Sequence, residues 1–319
     1  MAIKENKILV TGGSGMVGHA IKKVIPNAIY PSSAELNLLY QSEVENYFKT
    51  VRPSAVIHLA AKVGGVKANS EFVGEFYSQN IKMNSNILDA SMKFGVSKVI
   101  SFLSTCVYPD KAQYPLTEDQ VHNGEPQLHA GAPHISNYGY AYAKRMMEVQ
   151  SRAYRQQYGC NFICAIPNNL YGENDNFDLE NGHVIPALMR RIWESKLENK
   201  SQVEVWGDGT PLREFTYSGD IAEILMFLLE NYNEKDPINI GHTEETSIKV
   251  LVNMLCEYLE YKGEIVWNTS MPTGQLRKPS SNDKLIQMGW DKTSYIDLKK
   301  GLKNTCEWFK INYPNNIRG

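Results

Sequence analysis

The sequence predicts an α/β protein, a doubly wound parallel sheet joined to a smaller α+β unit. Three observations predict it. Short, continuously apolar and β-branched runs alternate with longer amphipathic stretches over the first half of the chain, the pattern of parallel strands covered on both faces. A glycine-rich turn follows the first of those runs directly. Beyond Pro167 the alternation gives way to a stretch richer in Asn, Asp and Gly.

The elements follow in order. Lys7-Ile8-Leu9-Val10-Thr11 reads as a buried strand, and residues 15–25 as the helix after it. Ala28-Ile29-Tyr30 is expected as a second strand, with a helix over 43–51 and a third strand over 55–60. Residues 72–94 carry apolar spacing near 3.6 and predict one long helix; 98–103 is a fourth strand, 140–158 a helix and 162–166 a fifth strand. Later come a helix over 184–194, a strand over 202–206, a short strand over 238–241, and helices over 247–261 and 298–311. The expected division is a dinucleotide-binding domain over 1–167, completed by about 215–242. A substrate domain would take 168–214 and 243–319.

Composition bounds the function. Lys and Arg number 33 against 35 Asp and Glu, a formal net charge of −2, which speaks against nucleic acid or an anionic membrane as the main partner. The 23 glycines and 14 prolines are close to average usage and exclude collagen-like or low-complexity chains. The five cysteines, Cys106, Cys160, Cys164, Cys256 and Cys306, are odd in number and lack paired zinc-finger spacing, so they read as free thiols in a reducing compartment with no metal site. No secretory signal is visible and the best apolar run, 224–229, is far short of a membrane span. A cytoplasmic protein is expected.

Thr11-Gly12-Gly13-Ser14-Gly15-Met16-Val17-Gly18 opens a helix straight after a strand. Its glycines let the backbone turn tightly and approach a pyrophosphate, which the free N–H groups of the helix start then hold. The plainer reading is a turn needed only for packing. Gly12, Ser14, Gly15, Met16, Val17 and Gly18 are therefore cofactor-binding candidates, along with Ser33. The acid that would bind a ribose 2′-hydroxyl is missing after the second strand, where the chain reads Tyr30-Pro31-Ser32-Ser33, and this leans toward NADP.

Tyr140 and Lys144 stand four residues apart, so a helix puts both on one face. A neighbouring ammonium favours the phenolate and is expected to bring the Tyr140 phenol down toward neutrality. Ser104 and Cys106 fall directly after the fourth strand, at the carboxyl edge where doubly wound sheets bind ligands. Their plain alternatives are a capping hydroxyl and a small buried hydrophobe.

With the glycine turn, these residues resemble the extended short-chain dehydrogenase/reductase family, whose dinucleotide domain is the Rossmann fold. Longer strings narrow the likeness to the branch that epimerises and reduces GDP-4-keto-6-deoxy-mannose. They are His58-Leu59-Ala60-Ala61-Lys62-Val63-Gly64-Gly65, Ser104-Thr105-Cys106-Val107-Tyr108-Pro109, Asn169-Leu170-Tyr171-Gly172-Glu173-Asn174-Asp175-Asn176-Phe177, His183-Val184-Ile185-Pro186-Ala187-Leu188 and Val205-Trp206-Gly207-Asp208-Gly209-Thr210-Pro211-Leu212-Arg213-Glu214-Phe215.

The resemblance implies Ser104, Tyr140 and Lys144 as the reductase triad, with Ser104 and Tyr140 on the C4 ketone oxygen. It implies Cys106 and His183 as the acid–base pair for C3 and C5, and NADPH as hydride source. Lys144, Asn168, Leu170 and His183 would stand near the nicotinamide. Asn169, Val184, Arg191, Trp206, Arg213 and Lys278 would contact a GDP-sugar. The expected activity is 3,5-epimerisation and 4-reduction to GDP-L-fucose by a homodimer. Reduction of a GDP-4-keto heptose, with or without epimerisation, is the alternative within the fold, and a non-catalytic NADP-sensing protein the alternative outside catalysis. Some members place arginine where this chain has Ser14 and Ser33. The segment Leu128-His129-Ala130-Gly131-Ala132-Pro133-His134 is longer than usual and would reshape the substrate mouth.

Overall fold

The computed structural model describes residues 7–127, 137–271 and 275–319; the Leu128–His134 segment lies outside them. In chain order the elements are β1 (Ile8–Thr11), α1 (Met16–Val24), α2 (Gln41–Val51), β2 (Ala55–His58), α3 (Val66–Glu71), α4 (Val73–Lys93), β3 (Lys98–Phe102), α5 (Tyr138–Tyr158), β4 (Phe162–Pro167), β5 (Asn169–Tyr171), α6 (Val184–Leu197), β6 (Gln202–Trp206), β7 (Leu212–Tyr217), α7 (Ser218–Asn231), β8 (Ile238–Ile240), β9 (Glu245–Ser247), α8 (Ile248–Leu259), β10 (Glu264–Asn268), α9 (Asp283–Gln287) and α10 (Leu298–Asn312).

The main sheet is parallel throughout, in the order β1-β2-β3-β4-β8. Its strands are mostly apolar because both faces are covered, with buried polar exceptions such as His58 in β2, Lys98 in β3 and Asn239 in β8. Alternate residues part to opposite sides: Ile8, Val10, Ala55, Ile57, Ile100 and Ile163 pack with α1 and α7, whereas Leu9, Val56, Val99, Phe162 and Cys164 pack with α2, α4 and α5. The buried Lys98 stretches from β3 to donate to the carbonyls of Leu228 (2.8 Å) and Leu229 (2.7 Å), near the end of α7 where a cation suits the helix dipole. A third core joins α6, β6, β7, α8 and α10 through Ile185, Met189, Val205, Phe215, Leu255 and Phe309. Beside it lie a parallel pair, β6–β10, and a three-stranded sheet, β5-β7-β9.

The expected strand at 28–30 reduces to a single bridge between Ile29 and Leu9. Pro26 and Pro31 flank it, and a ring nitrogen without N–H cannot extend a ladder. The long helix expected over 72–94 is broken at Phe72 (φ −114°, ψ 36°), which separates α3 from α4. The strand β7 and the helix α7 are additions to the sequence reading. No helix among the described residues is long and apolar enough to cross a membrane.

Candidate active site

The turn between β1 and α1 has no room for a side chain at Gly12 or Gly18. Gly12 holds φ +75°, and a Cβ there would lie 2.8 Å from the Ala60 nitrogen. A Cβ on Gly18 would lie 2.4 Å from the Gly12 oxygen, so α1 packs directly on the turn. Gly15 caps α1 with no side-chain hydrogen bond, and no acidic residue stands in the first turn of the helix. This is a cradle of bare N–H groups at a positive helix end, and it fits a dinucleotide pyrophosphate. Glu35 folds back onto Ser32, accepting from its nitrogen and hydroxyl at 2.8 Å each, so its carboxylate is engaged locally.

A cavity of about 500 Å³ opens beyond the carboxyl edge of the sheet. Ser104, Cys106, Tyr140 and Lys144 line one side of it. Ser104 starts a short helical turn over Thr105–Val107 and its Oγ accepts from the Cys106 nitrogen at 3.4 Å. From α5, Lys144 crosses to the end of β3 and donates to the Phe102 carbonyl at 2.6 Å. Its ammonium lies 5.8 Å from the ring centre of Tyr140. The neighbouring tyrosines are excluded: Tyr138 and Tyr142 face each other outside the cavity, ring centres 5.0 Å apart.

Burial dominates the electrostatics. It pulls Lys144 down to about 8, against the Cys106 and Cys164 sulfurs, which favour the cation. It pushes the Cys106 thiol up, opposed by the Ser104 hydroxyl and by Lys278 and Lys144. The Tyr140 phenol is pushed well above its usual value by burial and then by Cys106. This corrects the expectation that Lys144 brings it toward neutrality: burial and Cys106 both act upward, and the cost of removing a phenolate from water sets the direction. The neutral phenol is the form that can donate a proton.

Asn168, Asn169, Leu170, His183, Val184, Arg213 and Lys278 complete the wall, and Met16 reaches it from the glycine turn. His183 caps α6 without a side-chain hydrogen bond, and Val184 is that helix's first residue. Lys278 donates to Gln127 Oε1 at 2.6 Å; burial and the Arg213 guanidinium bring it down to about 8, with Cys106 opposing. The Asn168 amide is spent inside the protein, donating to the His242 carbonyl (2.8 Å) and accepting from the Thr216 hydroxyl (2.6 Å). Eight predicted residues do not line this cavity: Gly12, Ser14, Gly15, Val17 and Gly18 of the glycine turn, and Ser33, Arg191 and Trp206. Ser14 and Ser33 are exposed, Trp206 at the end of β6 is 55% exposed, and Arg191 donates to the Glu204 carbonyl of β6 at 3.3 Å.

Two supporting groups escaped the sequence reading. Buried His58 bridges Thr11 Oγ1 (2.7 Å) and Asn84 Oδ1 (3.0 Å), and the Asn84 amide reaches the Ala143 carbonyl at 3.4 Å, tying β1 and β2 to α4 and α5. Burial, and then Lys144, lowers His58 to about 4. Glu214, in β7 and 2% exposed, accepts from the Ser280 nitrogen (2.8 Å) and hydroxyl (2.6 Å), fixing the backbone two residues beyond Lys278. A polar side chain inside an otherwise apolar strand was the available signal for His58; β7, with Arg213 and Thr216 beside Glu214, offers no such contrast.

Residues 8–241 match the model of the NAD dependent epimerase/dehydratase family. The chain belongs to that family. Among curated relatives of this family member, a GDP-L-fucose synthase of Dictyostelium discoideum is 40% identical over 315 residues, 96% of each chain. Among solved structures, a GDP-L-fucose synthetase from Naegleria fowleri bound to NADP superposes with a TM-score of 0.91 at 37% identity, covering 100% of this chain and 97% of that one. A GDP-6-OMe-4-keto-L-xylo-heptose reductase from C. jejuni gives 0.88 at 27% identity, covering 98% and 100%.

Proposed function

We propose that this protein is an NADPH-dependent enzyme that epimerises C3 and C5 and reduces C4 of GDP-4-keto-6-deoxy-D-mannose, producing GDP-L-fucose. The observation that carries the reading is the meeting of Ser104, Tyr140 and Lys144 with Cys106 and His183 around one cavity. The stronger likeness to the synthases than to the heptose reductase, 40% identity against 27%, favours the hexose.

The Gly12–Gly18 turn would hold the pyrophosphate and Lys144 the nicotinamide ribose. Bound NADPH supplies the hydride for C4. The chain's own groups handle protons and charge. Ser104 Oγ and Tyr140 Oη act as donors to the C4 ketone oxygen, polarising it and acidifying the protons at C3 and C5. Cys106 Sγ and the His183 imidazole are the acid and base that remove and return those protons. Tyr140 Oη, neutral in its buried setting, then protonates the C4 alkoxide. Arg213 and Lys278 supply positive charge for the GDP phosphates, and Asn169 and Val184 line the same mouth. Arg191 and Trp206 would form an outer contact for the nucleotide.

The reading extends to organisation. The chain divides into a dinucleotide domain over 1–167, completed near 215–242, and a substrate domain over the rest; the pairing of β8 with β4 and the third core support it. The protein is a homodimer through α4 and α5, whose Tyr77, Tyr138 and Val149 are exposed. Five free cysteines suit the cytoplasm.

The test mixes protein, NADPH and GDP-4-keto-6-deoxy-D-mannose in D2O and follows NADPH absorbance and products by NMR. Deuterium at C3 and C5 of a GDP-L-fucose product supports the reading. Reduction without deuterium uptake reduces it to a C4 reductase. Turnover confined to a GDP-4-keto heptose replaces the substrate.

A further inference from the structure

A Cβ built on Gly15 would stand 3.8 Å from Nη1 of Arg318, more than 300 residues away in sequence. We propose that Arg318 is a cofactor-binding residue that sets its guanidinium against the dinucleotide pyrophosphate on the Gly12–Gly18 turn. The proposal rests on the dinucleotide reading above and adds to it a residue from the far end of the fold.

The backbone places Arg318. It pairs in parallel with Asn176, and the Phe177 nitrogen donates to the Arg318 carbonyl at 2.7 Å, so the segment after α10 is fastened to the one after β5. The side chain is left exposed at the start of α1. That is an unfavourable place for a cation, because the first turn of a helix already carries positive potential and α1 has no acidic residue there. The buried carboxyl of Asp175 offsets part of this. Its Oδ1 accepts from the Asn176 nitrogen at 2.7 Å, whereas Oδ2 is buried with no hydrogen-bond partner among the described residues, and the carboxyl faces His183 as well as Arg318. Two positive features facing one gap are reconciled by an anion between them. A pyrophosphate offers oxygens to both, and guanidinium binds such oxygens bidentately. The turn itself, Thr11 to Gly18, contains no Lys or Arg, so Arg318 supplies the charge that this stretch lacks.

The experiment compares wild type, Arg318→Gln and Arg318→Lys by fluorescence titration with NADPH and, separately, NADH, with thermal melting as the folding control. The pyrophosphate is common to both dinucleotides. Arg318→Gln should raise both dissociation constants about 10-fold, by the same factor and with an unchanged melting midpoint, as the loss of one charge-assisted contact requires. Arg318→Lys should recover part of the affinity. Unchanged binding in Arg318→Gln overturns the proposal. A loss for NADPH alone also overturns it, since it would move the contact to the 2′-phosphate. Wild-type protein that binds neither dinucleotide overturns the cofactor reading itself, and this assignment with it.

Discussion

Lys144 donates to the main-chain carbonyl of Phe102 at 2.6 Å, which anchors the ammonium at the end of β3 while its stem passes the Tyr140 ring. The bond fixes the ammonium at the carboxyl edge of the sheet, where the cavity opens. In the proposed reaction the Tyr140 phenol is the part that reaches substrate.

Tyr140→Phe removes one oxygen and keeps the ring. We expect C4 reduction to fall by about 10²–10⁴-fold, the usual contribution of a general acid, with NADPH affinity within about 2-fold of wild type. Stopped-flow NADPH oxidation and equilibrium titration measure the two. Near-normal turnover would remove Tyr140 from the chemistry.

Cys106→Ser is nearly isosteric and keeps a hydroxyl in place of the thiol. Deuterium exchange at C3 and C5 should drop by about 10²–10⁴-fold while the melting temperature moves by only a few degrees. Undiminished exchange would assign the base elsewhere in the cavity.

His58 carries a stability signature in pH. Its pKa is about 4 in the folded chain against an ordinary 6.5, so between these values the unfolded chain binds a proton that the folded one does not. Stability therefore rises with pH across that window and is lost on acidification from 6.5 to 4, by up to about 3 kcal/mol. Urea denaturation at several pH values should show a shallower slope in His58→Asn than in wild type. Equal slopes would mean that His58 does not titrate in this way.

Glu214 acts at a distance from the reacting atoms. In Glu214→Gln, one oxygen facing the Ser280 donors becomes a donor itself, at a cost of about 1–3 kcal/mol in stability. With the backbone near Lys278 loosened, KM for the GDP-sugar should rise more than kcat falls. A fall in kcat alone would show that Glu214 does not serve substrate binding.

Much of the main sheet was legible because a strand buried on both faces leaves an unbroken apolar run, and a glycine turn marks where the first helix starts. The bridge at Ile29 was misread because its apolar triplet looks like a strand, while the flanking prolines limit pairing. In β7 the run Leu212-Arg213-Glu214-Phe215 buries a carboxylate, and its tertiary partners Ser280 and Asn168 make that tolerable. Local pattern cannot supply such partners. For the same reason, the spacing of Tyr140 and Lys144 gave their shared face but not the direction of the phenol's pKa, which depends on how much water surrounds it.

The Asn168 amide touches three strands' worth of chain at once: its own, Thr216 in β7, and His242 beyond β8. Gly241 leaves it no slack, since a Cβ there would lie 2.6 Å from Asn168 Oδ1. This single side chain is in effect a rivet between the main sheet and the three-stranded sheet, holding the cavity floor where Asn169 and Leu170 follow it.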